Sequence, residues 1–296
     1  MEKRILGRTG LPVTVLGFGG AEIGFQNASQ DEVTRLLNSA IDAGLNVIDT
    51  AAMYLASEQL IGNAVGHRRQ ELVLMTKCGH PAHPETRFSR SALQADIDNS
   101  LRALKTDHVD LLQLHSCSEE LLRQGEVIDA VEAARAAGKT RFIGYSGEEG
   151  AARYAISTGR FDTLQISVNL CDQNVIDDIL PAAVAANMGV IAKRPIANAV
   201  WLYESLPENA YIQPYWHRLQ ALRFPELADR SQAAAVALRF TLSVPGVSTL
   251  IVGTRTPGRW QQNAQIAAQG PLPPEVFASL RNRWKQHVQP DWTGQV

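Results

Sequence analysis

Short apolar runs, each followed by a helical pattern, recur eight times along the chain, and nothing else in the sequence narrows the fold as far. The runs are "VLGFGG", "NVID", "LVLMTK", "VDLLQLH", "TRFIGYS", "TLQISVN", "VIAKRP" and "STLIVG". Between them lie segments with apolar residues at helical spacing. In "DEVTRLLNSAIDAG", Val33, Leu36, Leu37, Ala40 and Ile41 share one face, Ser29 and Glu32 stand in capping-box register, and Gly44 sits at the expected stop. "SEQLIGNAVG", "SALQADIDNSLRAL", "ELLRQGEVIDAVEAARAAG" and "GAARYAISTG" read likewise as helices, as does "VIDDILPAAVAANMG" despite Pro181. An irregular aromatic stretch from Trp201 to about Asp229 precedes the helices "SQAAAVALRFTLS" and "PGRWQQNAQIAA". Strict alternation implies parallel strands with helical crossovers, and eight pairs are the number that closes a (β/α)8 TIM barrel.

A doubly wound open sheet is the competing architecture. It would carry a glycine-rich fingerprint after the first strand; "GFGGAEIG" fits in part, but no ribose-binding acid follows at the usual place. Two pieces stand outside the eight pairs. "KRILGRTGLPVTVL" reads as an N-terminal β-hairpin that could plug the barrel bottom, and "PPEVFASLRNRWKQHV" as an appended C-terminal helix. No linker or internal repeat divides the chain, so residues 1–296 are expected to form one barrel domain.

Composition excludes several classes. At 45% hydrophobic and 20% charged residues, with net charge -2, the chain suits a globular protein and carries no basic nucleic-acid footprint. No apolar segment is long enough for a membrane span, and "MEKRILGRTG" lacks the apolar run of a signal peptide. Three cysteines are too few for a disulfide framework, so a reducing cytoplasm is the expected setting.

Chemistry in such a barrel gathers at the C-terminal strand ends. The second strand ends in Asp49 with Tyr54 five residues on, the third in Lys77, the fourth in His115, the fifth in Ser146 and the seventh in Lys193-Arg194; the sixth carries Gln165 and Asn169. Any one of these alone could be a solvated strand end. Asp, Tyr, Lys and His on three consecutive strands suggest more. Asp49 could hold Lys77 charged, Lys77 could favour the Tyr54 phenolate, and a neutral His115 could donate to a carbonyl oxygen. Together they could protonate an oxygen as negative charge develops on it, as carbonyl reduction requires. None of the four is a reductant, so a cofactor must bring the hydride. After the last strand, Thr256-Pro257 reads as an N-cap with proline at the first helical position. Gly253, Thr254, Arg255 and Arg259 around it make a candidate phosphate site.

"NVIDTAAMY", "LMTKCG", "LLQLH", "GYS", "LQISVN" and "IVGTRTPGRWQQN", in that order, together with the hairpin, resemble the aldo-keto reductase superfamily over nearly the whole chain. The resemblance implies a barrel that uses NADPH/NADP+, with NADH less favoured, to reduce an aldehyde or ketone reversibly. It assigns Asp49, Tyr54, Lys77 and His115 to the catalytic set, with Tyr54 as general acid, Lys77 and Asp49 tuning it and His115 orienting the carbonyl. It places Ser146 and Gln165 on the nicotinamide carboxamide, and Thr254, Arg255, Arg259, Gln262 and Asn263 on the adenosine 2′-phosphate and adenine. Gly19, Gly20, Asp49, Lys193, Arg194, Pro195 and Gly253 complete the cofactor set. Three positions depart from the family: Gly147 replaces a common asparagine, Lys193 an aromatic residue stacked on the nicotinamide, and Leu55 a frequent glycine, a change that could narrow the pocket.

Substrate-lining candidates are Met53, Tyr54, His115 and Trp201, for a small carbonyl or alcohol whose identity the sequence leaves open, as it does the oligomeric state. A zinc site from Cys78, His80, His115 and Cys117 lacks the usual C-x2-4-C hook, so no metal is expected. The alternative function is an NADPH-binding sensor or scaffold subunit with little turnover; the tuned phenol, which a pure binder does not need, argues for the enzyme.

Overall fold

The computed structural model describes residues 1–79, 83, 86 and 88–295. Eight parallel strands close on themselves: β3 (Leu16–Gly19), β4 (Val47–Asp49), β5 (Val73–Cys78), β6 (Val109–His115), β7 (Thr140–Ser146), β8 (Thr163–Ser167), β9 (Gly189–Lys193) and β10 (Val247–Gly253), with β10 pairing back onto β3. Helices surround them, as the (β/α)8 reading expects. β1 (Lys3–Ile5) and β2 (Pro12–Thr14) form the antiparallel N-terminal hairpin, and helix Pro274–His287 is appended at the C-terminal side.

The strands are three to seven residues long and buried on both faces, so the period of two sorts their side chains. Leu112 and Leu114 of β6 join the large cluster beneath the helices, whereas Leu111 belongs to a separate inner cluster. That inner cluster holds Val47, Val73, Met75, Leu111, Ile191 and Ile251, closed from below by Leu6, Leu11 and Val13 of the hairpin. The hairpin is therefore the barrel's plug. One step up each strand, the inward positions turn polar.

Three local expectations need correction. The helix read across residues 120–138 breaks at Gly125, which takes φ 84° in the left-handed region and separates Glu119–Gln124 from Glu126–Ala136. Pro181 does not interrupt a helix, because Asn174–Asp177 form a 3-10 turn. The α-helix begins at Ile179, capped by the Asp178 side chain, which puts Pro181 in the first turn, where a missing N–H costs no intrahelical bond. The aromatic stretch is not wholly irregular: Gln213–Leu222 is a helix with proline in its first turn, and its Tyr215 is buried.

The helix Gln30–Asp42 carries the expected capping box, with the Ser29 side chain accepting from Glu32 N–H and the Glu32 carboxylate accepting from Ser29 N–H. Among the described residues no helix is long and apolar enough to cross a membrane.

Leu6 is fully buried in the plug, so Leu6→Ala is expected to cost about 2–5 kcal/mol in urea denaturation. The folded fraction should keep its ligand affinities, because the plug lies below the polar layer.

Candidate active site

Adjacent registers bring the polar strand ends into one layer. Asp49 pairs with Met75, Lys77 with Gln113, His115 with Ser146, Ser146 with Gln165, and Ser167 with Lys193. Every one of these polar residues except Lys193, which is slightly more open, is buried. Their hydrogen bonds converge on Asp49. Lys77 Nζ donates to Asp49 Oδ2 at 2.5 Å and to the Thr50 carbonyl at 2.9 Å. Gln113 Nε2 and Gln165 Nε2 donate to Asp49 Oδ1 at 3.1 and 3.0 Å, and Ser146 Oγ donates to Gln165 Oε1 at 3.2 Å.

Tyr54 reaches the layer from the loop after β4. That loop is clipped to β5, with Thr50 N donating to Met75 O and Ala52 N to Lys77 O, both at 3.0 Å. The turn closes as Tyr54 N donates to Ala51 O and Ser57 N to Tyr54 O. Leu55 adopts φ 50°, which accounts for glycine being frequent at this position. Its side chain is 68% exposed and lies outside the cavity lining, so it does not narrow the pocket. Lys77 Nζ lies 5.1 Å from the Tyr54 ring centroid. The Tyr54 and His115 rings meet edge-on, 5.7 Å apart at 83°.

Burial pushes the Tyr54 phenol above its ordinary value; Lys77 pulls it down and Asp49 pushes it up. The ammonium moderates the rise without reversing it, so the expected lowering by Lys77 is present but outweighed in this environment. Burial would lower Lys77, but Asp49 and Tyr54 outweigh it and hold the ammonium above its usual value.

Above the Asp49–Lys77 pair lies a cavity of about 700 Å³. Gly19, Gly20, Asp49, Met53, Tyr54, His115, Ser146, Gln165, Lys193, Arg194, Pro195 and Gly253 all face it. Trp201 does not: it is 6% exposed and packs in the core, and Tyr203 and Tyr211 take the wall instead. The loop after β10 stands apart from the cavity. Thr254 Oγ1 accepts from Thr256 N–H, Arg255 Nη1 donates to the Gln26 carbonyl, Arg259 and Gln262 are exposed, and Asn263 is buried. The helix there starts at Arg259 with Gly258 as its N-cap, not at Thr256-Pro257. Thr256 contributes its carbonyl, which accepts from Arg259 N–H.

Gln113, Glu148 and Tyr211 are site residues that sequence reasoning missed. Gln113 had a signal: a lone amide two residues before His115, on the same face of an apolar strand. Glu148 likewise follows a strand end. Tyr211 had only a collective signal, as one of the aromatics of the segment after β9, and which of them lines the cavity depends on the path of that segment. Gly147 has a steric reason: a Cβ there would sit 2.2 Å from the Tyr145 hydroxyl, which donates to the Cys117 carbonyl at 2.7 Å.

Burial pushes the thiols of Cys78, Cys117 and Cys171 up, the latter two to about 12. Among the described residues no three His, Cys, Asp or Glu are grouped to hold a metal; His80 lies outside them.

The cavity fits a nicotinamide dinucleotide in two respects. Its mouth is lined by Gly19, Gly20 and Gly253, which leave bare backbone facing the cavity, and a Cβ on Gly19 would press on Ile251 Cγ2 at 2.9 Å and one on Gly253 on Gly19 O at 3.1 Å. Its floor offers the Ser146–Gln165 pair, a hydroxyl and an amide suited to a carboxamide.

Removing one partner of the Asp49–Lys77 pair strands the other charge in the interior. Lys77→Met is expected to lower unfolding free energy by about 3–5 kcal/mol in urea, and adding Asp49→Asn should restore part of it.

The profile of the Aldo/keto reductase family matches residues 15–285. L-galactose dehydrogenase of Arabidopsis thaliana is 29% identical over 91% of this chain and 89% of its own. The uncharacterized oxidoreductase YqkF of Bacillus subtilis is 26% identical over 97% and 98%. Among solved structures, the holo form of aldo-keto reductase AKR11C1 from Bacillus halodurans superposes with a TM-score of 0.84 at 26% identity, covering 99% of both chains.

Proposed function

The chain belongs to the aldo/keto reductase family, an oxidoreductase of carbonyl compounds with a nicotinamide cofactor, and from that premise we propose that it interconverts an aldehyde or ketone and its alcohol with NADPH/NADP+, Tyr54 serving as the acid. The observation that carries this reading is the buried Asp49–Lys77 pair beneath Tyr54, with His115 edge-on to the same ring.

The nicotinamide, when bound, supplies or accepts the hydride. The protein's part is to manage the oxygen. A carbonyl oxygen entering between Tyr54 and His115 meets two donors as charge builds on it. Tyr54 gives up its proton, and the phenolate left behind faces the Lys77 ammonium, which Asp49 keeps charged and fixed. Gln113 and Gln165 hold the Asp49 carboxylate, so the pair does not turn toward solvent. In alcohol oxidation the same groups run in reverse, with the phenolate taking the proton.

For the cofactor, Ser146 and Gln165 would hold the carboxamide, and Lys193, Pro195, Gly19, Gly20 and Gly253 would form the cleft around the dinucleotide. Thr254, Arg255, Arg259, Gln262 and Asn263 would meet the adenosine end, where guanidinium groups favour a 2′-phosphate.

Tyr54→Phe is the test. NADPH affinity by fluorescence titration should be retained, and kcat should fall about 10²–10⁴-fold. Near-normal turnover would remove Tyr54 as the acid. Because the phenol titrates above its ordinary value, reduction should run level through neutral pH and fall only in strong alkali as the proton is lost. Oxidation, which uses the phenolate, should rise with pH over the same range. Replacing Arg255 and Arg259 together with alanine should reduce the preference for NADPH over NADH, measured as the ratio of kcat/KM values.

A further inference from the structure

Beside the catalytic layer, on the same cavity wall, two cations share one carboxylate. Glu148 Oε1 lies 3.1 Å from Lys193 Nζ and 3.7 Å from Arg194 Nη1, and it also accepts from Ser167 Oγ at 2.8 Å. Lys193 is the closer partner, so Arg194 has the weaker hold on Glu148. Behind them Asp172 faces Arg218 at 4.0 Å and accepts from the Tyr215 hydroxyl; Glu148 and Arg194 also act on it electrostatically, so Lys193, Arg194 and Arg218 share two carboxylates and one positive charge is left over. Glu149 turns away and accepts from Gly294 N–H.

Arg194 is held rigidly. Nε donates to the Tyr211 hydroxyl, Nη1 donates to Ser167 Oγ at 2.7 Å and to the Gln295 carbonyl at 2.8 Å, and the guanidinium lies 5.2 Å from the Tyr211 ring centroid. Its backbone is left-handed at φ 55°, and Ala197, Asn198 and Ala199 follow at 44°, 53° and 53°. Such a run is held against its intrinsic preference, as backbone at ligand-binding rims often is. Among the described residues Nη2 makes no hydrogen bond, although the side chain lines the cavity. Arg194 and Tyr211 line the same cavity as Tyr54 and His115, so one bound molecule can meet both walls.

We propose that Arg194 recognises a carboxylate carried by the carbonyl substrate itself, so that the preferred substrates are oxo-acids or aldehyde-acids rather than neutral carbonyls. The guanidinium is pre-positioned by Tyr211, Ser167 and Gln295, so little ordering is lost when its Nη2 hydrogens meet an oxyanion. The two tyrosines of the wall, Tyr203 and Tyr211, frame the body of the substrate. This assignment rests on the carbonyl-reduction reading above and names the substrate class for that site.

The test compares 4-carboxybenzaldehyde with its methyl ester in the wild type, Arg194→Lys and Arg194→Gln. The wild type should prefer the acid. In Arg194→Gln the acid-to-ester ratio of kcat/KM should fall about tenfold or more, chiefly through KM, and Arg194→Lys should keep part of the preference. An unchanged ratio overturns the proposal. So does a rise in NADPH dissociation constant as large as the rise in KM for the acid, because Arg194 would then be serving the cofactor's diphosphate. Calorimetry with 4-(hydroxymethyl)benzoate on the NADP+-bound protein reads the same contact without turnover. Its affinity should drop about tenfold in Arg194→Gln, and equal affinities overturn the proposal even if neither aldehyde is reduced. Absence of reduction with that affinity difference intact would instead count against the carbonyl chemistry.

Discussion

Asp49 and Lys77 can occupy the barrel interior only as a pair. Each alone would carry a desolvation cost of several kcal/mol, and the 2.5 Å contact recovers it only because the remaining hydrogen-bonding capacity is also met. Two amides and one backbone carbonyl meet it, from β6, β8 and the loop after β4. The pair therefore ties β4, β5, β6 and β8 of the barrel wall to one another and to the loop after β4. Tyr54 is positioned by the same arrangement, since its loop hangs from the backbone of Met75 and Lys77. Charge pairing, loop path and phenol placement are one arrangement.

The barrel separates stability from chemistry along its axis. Below, inward side chains are aliphatic and the hairpin seals them. One layer up, the same faces carry Asp, Lys, Gln, His and Ser. The strands are so short that one residue pair spans the change: Val47 is in the apolar layer and Asp49 in the polar one. A polar layer so close to a sealed apolar one has low local dielectric, which strengthens the pairing and drives the upward shift of the Tyr54 phenol.

Much of this was legible in the sequence because it depends on period and order. Eight apolar runs in strict alternation specify parallel pairing, and a period of two then dictates that Asp49, Lys77 and His115 point the same way. The Ser29–Glu32 box and the hairpin were likewise local signals. What could not be read depended on backbone detours. Helix placement after β6 turned on one residue, Gly125, in the left-handed region. The segment after β9 placed Tyr211 on the cavity wall and turned Trp201 into the core, although both belong to the same aromatic stretch. The helix after β10 starts two residues later than its N-cap signature implied, because the chain makes a further turn through Thr256 and Gly258. Arg194 read as one of two adjacent cations; that its neighbour would take the larger share of Glu148 required distances.

Gly147 has an evolutionary consequence. Its missing side chain makes room for the Tyr145 ring, whose Cζ and Cε1 would lie 2.5 and 2.6 Å from any Cβ at that position, so trimming only the hydroxyl would not relieve the clash. The asparagine common in the family at this position is thus barred until Tyr145 itself shrinks. Shrinking Tyr145 opens a hole in the core and leaves the Cys117 carbonyl without its donor. Either order of change passes through a damaged intermediate. The two positions form a ratchet, and a lineage that has taken this pair is expected to keep it and adapt its ligand contacts elsewhere.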